Sequence, residues 1–98
     1  MLTLPIKKKW FDMIKSGEKK EEYREIKPYY GIRFAKLGVG DNSIHEVLFR
    51  NGYSSNSPTI KCKVSIYQDY GVPSWGASIG EVYYVLKILS VEKVGDKE

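Results

Sequence analysis

The densest concentration of chemically capable side chains in the sequence is Gly17-Glu18-Lys19-Lys20-Glu21-Glu22-Tyr23-Arg24. Gly17 permits a positive φ, so the chain can reverse there from a helix into a strand. In an extended segment Glu22 and Arg24, two residues apart, share a face and can reach each other or one ligand. Lys19 stands in the turn just before them and can point to the same spot. Arg24 offers a planar fork for a phosphate or a base edge, and Lys19 a mobile point charge. Glu22 offers an acceptor for a base amino group or a ribose hydroxyl. A plainer account exists: Glu22 and Arg24 pair to fix the strand, and Lys19 is solvated. Surface pairs contribute only about 0–1 kcal/mol and require no function.

Other residues suit the same chemistry. Tyr53, Tyr70 and Trp75 fall in segments that read as loops, where large aromatics can stack on unpaired bases. Arg50 and Asn51 end a short strand beside Gly52 and bring two hydrogen-bonding side chains to a loop mouth. Trp75 reads more simply as a plug over the end of a barrel, and Tyr29 and Tyr30 as helix-to-core contacts. His45 has no partner motif and reads as a turn histidine. Cys62 lies on an apolar strand face and reads as a buried small hydrophobe. One cysteine excludes an internal disulfide framework, and with a single histidine beside it a Cys/His zinc site is excluded too.

The elements that must position these residues follow from periodicity. Met1–Ile6 is a short apolar segment with Pro5, an edge strand or a helix entry. From Pro5 to Ser16 the pattern is helical, with Ile6, Trp10, Met13 and Ile14 on one face and Gly17 as the C′ residue. Glu22–Ile26 is extended. Pro28 opens a second helix with Tyr30, Phe34 and Leu37 toward the core, closed by Gly38 and Gly40. Val39–Ser43 is turn material. Glu46–Arg50 is a strand with Val47 and Phe49 on one face, and Asn51–Pro58 a polar loop. Thr59–Tyr67 alternates, with Ile60, Cys62, Val64 and Ile66 inward. Gln68–Gly80 is a long loop. Val82–Leu89 is apolar on both faces, as a central strand is, and Val91–Val94 extends or follows it. Gly95–Glu98 is a frayed tail.

These elements fit one α+β domain across residues 1–98, a curved, mainly antiparallel sheet or barrel with one or two helices packed on it. At 98 residues there is room for one domain, and such a chain buries only about 60–65 % of its unfolded surface. No apolar run approaches the roughly 18 residues a membrane helix needs, and the start lacks the apolar stretch of a secretory signal. The net charge of +4 is unevenly placed. Residues 1–33 hold nine Lys or Arg against five Asp or Glu, while the remainder holds seven of each. That asymmetry reads either as a basic face for a polyanion or as a solvated lysine-rich helix face.

Gly17, Lys19, Glu22 and Arg24, following a first helix and leading into a strand, match the G-x-K-x-x-E-x-R signature of the ASCH domains, and the chain resembles that family. Phe49-Arg50-Asn51-Gly52-Tyr53 and Pro73-Ser74-Trp75-Gly76 resemble segments of its small phage or bacterial members. The resemblance covers nearly the whole chain by order of elements, more by pattern than by motif in the later segments. It implies a PUA-like pseudobarrel and a cleft for RNA or a nucleotide-like ligand, lined by Lys19, Glu22 and Arg24. Arg50, Asn51 and Trp75 would contribute from the second side. Composition and pattern, apart from the resemblance, read as a cytoplasmic protein with no cofactor, metal or membrane, and a monomer by default.

Two further readings belong to other classes. Some family members resemble acylated-cytidine amidohydrolases, whose motif carries a threonine three residues after the lysine. Here that position is Glu22, a carboxylate rather than an activatable hydroxyl, which counts against the chemistry. Others resemble metal-independent ribonucleases, for which Lys19, Tyr23, Arg24 and Arg50 are candidate acid, base and cationic groups; across both chemistries the catalytic candidates are Lys19, Glu22 and Tyr23. The third reading is a protein-interaction module whose basic helix meets an acidic partner.

Overall fold

In a computed structural model, which describes residues 1–38, 40 and 43–94, alternating and helical patterns resolve into five strands and two helices. These are β1 (Leu2–Pro5), α1 (Lys8–Ser16), β2 (Glu21–Arg24) and α2 (Pro28–Leu37), followed by β3 (His45–Arg50), β4 (Thr59–Tyr70) and β5 (Val82–Val94). A short 3-10 turn, Pro73–Trp75, lies between β4 and β5. The sheet order is β1-β3-β4-β5-β2, with β1 parallel to β3 and every other pairing antiparallel. The sheet curls strongly into a half-barrel with the helices packed on it, the α+β pseudobarrel arrangement expected from the sequence. Among the described residues, no helix is long and apolar enough to cross a membrane.

Period-two alternation builds the apolar wall. Ile60, Cys62, Val64 and Ile66 are buried from β4, and Val47 and Phe49 from β3 beside them. Burying each such side chain contributes about 1.5–3 kcal/mol. Strand β5 is hydrogen-bonded on both sides, to β4 and β2, and is buried on both faces in its first half. Leu86 joins the main core, whereas Tyr83 and Val85 are buried on the opposite face. There Tyr83 meets Tyr23 with ring centroids 5.6 Å apart and its hydroxyl accepts the Ser78 N–H at 2.9 Å. Between Lys63 and Val64 the pairing steps from Ser90 to Ile88, leaving Leu89 as an extra, half-exposed residue on β5. That irregularity bends the sheet locally.

Several boundaries differ from the sequence expectation. Pro5 ends β1, an edge strand, and Ile6 donates its N–H to the Arg50 carbonyl at 2.9 Å, so α1 begins only at Lys8. Phe11, absent from the expected helix face, is buried beside Ile14. Strand β4 continues past Tyr67 because Gln68, Asp69 and Tyr70 pair with Tyr84, Tyr83 and Val82. All three side chains are exposed, so hydrophobic alternation had stopped where backbone pairing had not. His45 heads β3 instead of lying in a turn, its Nε2 2.8 Å from the Ser43 hydroxyl. Tyr30 and Leu37 do pack against the core with Phe34, but Tyr29 is half exposed, with the Arg33 guanidinium 3.5 Å from its ring. Val39, Asp41 and Asn42 of the expected turn, and the expected tail Gly95–Glu98, lie outside the described residues.

Candidate functional site

Gly17 closes α1 in the left-handed region (φ 89°), its N–H donating to Ile14, and Lys19 N–H then donates to Met13 at 2.9 Å. The chain is thereby turned back along the sheet, and β2 pairs with β5 from Glu21 to Arg24. Alternation in β2 puts Glu22 and Arg24 on one face and Glu21 and Tyr23 on the other. Glu22 is the hub of a buried ionic cluster. Its Oε2 accepts from Arg24 Nη2 at 2.7 Å, and its Oε1 lies 3.4 Å from Lys19 Nζ. The side chains of Lys19, Glu22 and Arg24 are 1, 8 and 10 % exposed.

Arg24 does more than pair. Its Nη2 also donates to the Pro5 carbonyl at 2.9 Å, and Nη1 to the Tyr30 hydroxyl at 3.3 Å. Strands β1 and β2 are the two outer edges of the sheet, so this guanidinium ties the half-barrel's edges across its mouth.

Lys19 faces the other way. Its ammonium lies 4.7 Å from the Trp10 ring centroid and 4.9 Å from that of Tyr23, and donates to the Trp75 carbonyl. Burial pushes its pKa below the usual lysine value, with Glu22 opposing and Arg24 adding to the shift. Tyr23 is held in its un-ionised form: burial raises its pKa, helped by the hydrogen bond its hydroxyl donates to Glu21 at 2.7 Å. The same hydroxyl accepts the Val72 N–H at 2.8 Å. The motif residues Lys19 and Tyr23 therefore pin the segment that follows β4 onto β2.

A cleft of about 560 Å³ opens on the Glu22–Arg24 side. Pro5, Ile6, Lys7 and Trp10 form its wall from the β1–α1 junction, and Asn51, Gly52 and Tyr53 a second wall after β3. Residues Glu22 through Glu25 run along its base, with Tyr30 beside Arg24. Its volume falls within the range of about 300–1,000 Å³ usual for small-molecule sites. Among the described residues, no group of three or more His, Cys, Asp or Glu is arranged to hold a metal.

Glu22, Tyr23, Arg24, Asn51 and Tyr53 thus line the cleft, and four expected contributors do not. Lys19 is sealed within the wall because Glu22, two aromatic rings and a carbonyl enclose its ammonium. Trp75 offers its backbone carbonyl to Lys19 and is not among the residues lining the cleft. Arg50 directs its Nε–H to Thr59 Oγ1 at 3.4 Å, along the neighbouring strand. Tyr70 is the exposed last residue of β4 and lies outside the cleft. Trp10 and Tyr30, core residues by their helical spacing, also line the cleft, together with Lys7 just before α1. One signal pointed to Lys7: three consecutive lysines at a helix start oppose the helix dipole.

Comparison with protein-family models, curated proteins and solved structures finds no match for this chain.

Proposed function

We propose that this chain is an ASCH-type, PUA-like domain that binds RNA or a nucleotide-like ligand in the cleft at its G-x-K-x-x-E-x-R segment. The observation that carries the reading is the convergence of Glu22 and Arg24 at the base of a nucleotide-sized cleft flanked by Trp10, Tyr30 and Tyr53. The rings supply faces for a base, and the Asn51 amide can donate to and accept from a base edge. Arg24 and Lys7 supply positive charge for phosphate. A bacterial or phage setting goes with the same resemblance, and a cytoplasmic one with the composition.

Binding is favoured over turnover by the state of the candidate catalytic groups. The Lys19 ammonium is sealed from the cleft, and the Tyr23 hydroxyl is engaged by Glu21 and Val72. Glu22 accepts from Arg24 through one oxygen and faces the Lys19 ammonium with the other, and it replaces the threonine of the amidohydrolase pattern. Arg50 points away from the site that a ribonuclease reading would require.

The test is a titration with short single-stranded RNA at several salt concentrations. Two to four phosphate contacts give a log–log salt slope on the order of −1.5 to −3. Replacing Tyr53, 90 % exposed at the rim, by Ala should weaken binding roughly five- to a hundredfold without lowering the melting temperature. Absence of binding to RNA and to mononucleotides by folded protein at low salt overturns the proposal.

A further inference from the structure

The buried ionic cluster behind the cleft carries more positive than negative charge. Lys19, Glu22 and Arg24 are two cations and one carboxylate, none more than a tenth exposed, and both Glu22 oxygens already face a cation. Charge held away from water calls for a counter-charge. Glu25, the other carboxylate on the cleft, is two-thirds exposed and paired with Lys27 at 3.1 Å. A second observation concerns Arg24 itself: its Nε is buried and has no acceptor among the described residues.

A third lies across the cleft. Helix α1 begins there, with Lys7 as N-cap, no side-chain cap bond and no acidic residue in its first turn. The amides of Lys8, Lys9 and Trp10 meet no acceptor among the described residues, and the exposed Lys7 ammonium forms no ion pair among them. Lys8 is offset by Asp12 at 2.6 Å, and Lys9 lies over the Trp10 ring, leaving Lys7 as the free cation of the three. Free amides and a like-charged lysine at a dipole's positive end form an arrangement that an anion relieves.

We propose that this end of the cleft is a phosphate subsite, in which the α1 N-terminus, Lys7 and Arg24 hold a terminal phosphomonoester. The inference rests on the nucleotide reading above and narrows its ligand class. The ligand is a phosphorylated nucleotide or a 5′-phosphorylated RNA end, and the phosphate supplies most of the affinity. The rings then orient the base.

Calorimetric titration of the four ribonucleosides and their 5′-monophosphates tests this, alongside a tetranucleotide with a 5′-phosphate or a 5′-hydroxyl. The best monophosphate is expected to bind at least about thirtyfold tighter than its nucleoside, in line with charge-assisted hydrogen bonds. Lys7→Gln is expected to cost about tenfold for the monophosphate and several-fold less than that for the nucleoside. Lys15→Gln, at the opposite end of α1, removes the same charge and should change neither. Tighter binding of the 5′-phosphorylated oligomer than of any mononucleotide identifies an RNA end as the source of the phosphate; the reverse order identifies a free nucleotide. Equal affinities for nucleoside and monophosphate, or equal losses in the two lysine variants, overturn the subsite while leaving nucleotide binding intact. Failure of every probe to bind overturns both.

Discussion

Strand β4 turns Ile60, Cys62, Val64 and Ile66 into the half-barrel, whereas β2, two places away in the sheet, presents Glu22 and Arg24, with Lys19 just before them. Both walls are buried, yet they are held by different physics. On the apolar wall each side chain contributes by the area it removes from water, so effects are local and graded by volume. On the polar wall the three charges are tolerable only together, and they draw in backbone from distant places: the carbonyls of Pro5 and Trp75 both accept from them. The polar wall is also the one beside the cleft. The groups that line the cleft are held still by a network that solvent does not loosen.

The sharpest way to break this comparison is a pair of near-isosteric substitutions. Glu22→Gln removes almost no volume but leaves Lys19 and Arg24 as buried cations without their carboxylate, so it should destabilise the protein by about 3–5 kcal/mol. Ile60→Val removes a methylene from the apolar wall and should cost about 0.5–1.5 kcal/mol. Denaturant titration of both variants decides. Equal costs would mean that Glu22 is solvated and that the polar wall is not a closed network.

A middle-sized effect tests the segment pinned onto β2. A Cβ on Gly71 would lie 2.5 Å from Ala77 Cβ and 2.8 Å from the Tyr23 ring, so Gly71→Ala forces the backbone away from Tyr23. Such overpacking costs typically about 1–3 kcal/mol. The displacement should also disturb the Val72–Tyr23 bond and with it the environment of Trp75, readable as a shift in tryptophan fluorescence of the folded protein. An unchanged melting temperature and spectrum would show that the segment does not depend on this contact.

The two walls also differ in how plainly they were written in the sequence. Alternation from Ile60 to Ile66 is unambiguous because one face is dry and the other wet, and the strand's own period reports it. Gly17 was legible for a similar reason: a helix followed by glycine and a charged extended segment has few other geometries. The pairing of Glu22 with Arg24 followed from their spacing. The burial of Lys19 did not, since lysine is almost never fully buried and nothing local distinguishes this one from Lys20 beside it. Its environment is supplied by Trp10 and Trp75, from α1 and from the turn after β4. Phe11 was missed because an expected start at Pro5 fixed the helix face on Ile6, which belongs to the chain before the helix. The exposed end of β4 was invisible for the opposite reason, since only backbone pairing holds it.

The smallest effect concerns an ionisable group on the apolar wall. Cys62 is fully buried among aliphatic side chains, and burial raises its thiol pKa to about 12. A folded-state value above the unfolded one means that the unfolded chain releases the proton first. Stability from this group is fully present below the unfolded thiol value of about 8.5–9 and is lost as pH rises toward the folded value. Between pH 8 and pH 10 the loss should amount to about 1.5 kcal/mol. Lys19 works in the opposite direction, because its lowered pKa makes the buried charge a cost that fades as pH rises toward the usual lysine value. Tyr23, with a raised value, loses stability only as pH passes the ordinary tyrosine range near 10. The thiol's share is isolated by subtraction: wild type and Cys62→Ala carry the same lysine and tyrosines and differ only in the thiol and a pH-independent packing term. Chemical denaturation of both at pH 8, 9 and 10 should show the wild type's advantage shrinking by that amount. Parallel pH profiles would mean that Cys62 ionises as readily in the folded chain as in the unfolded one, and that this wall is wet.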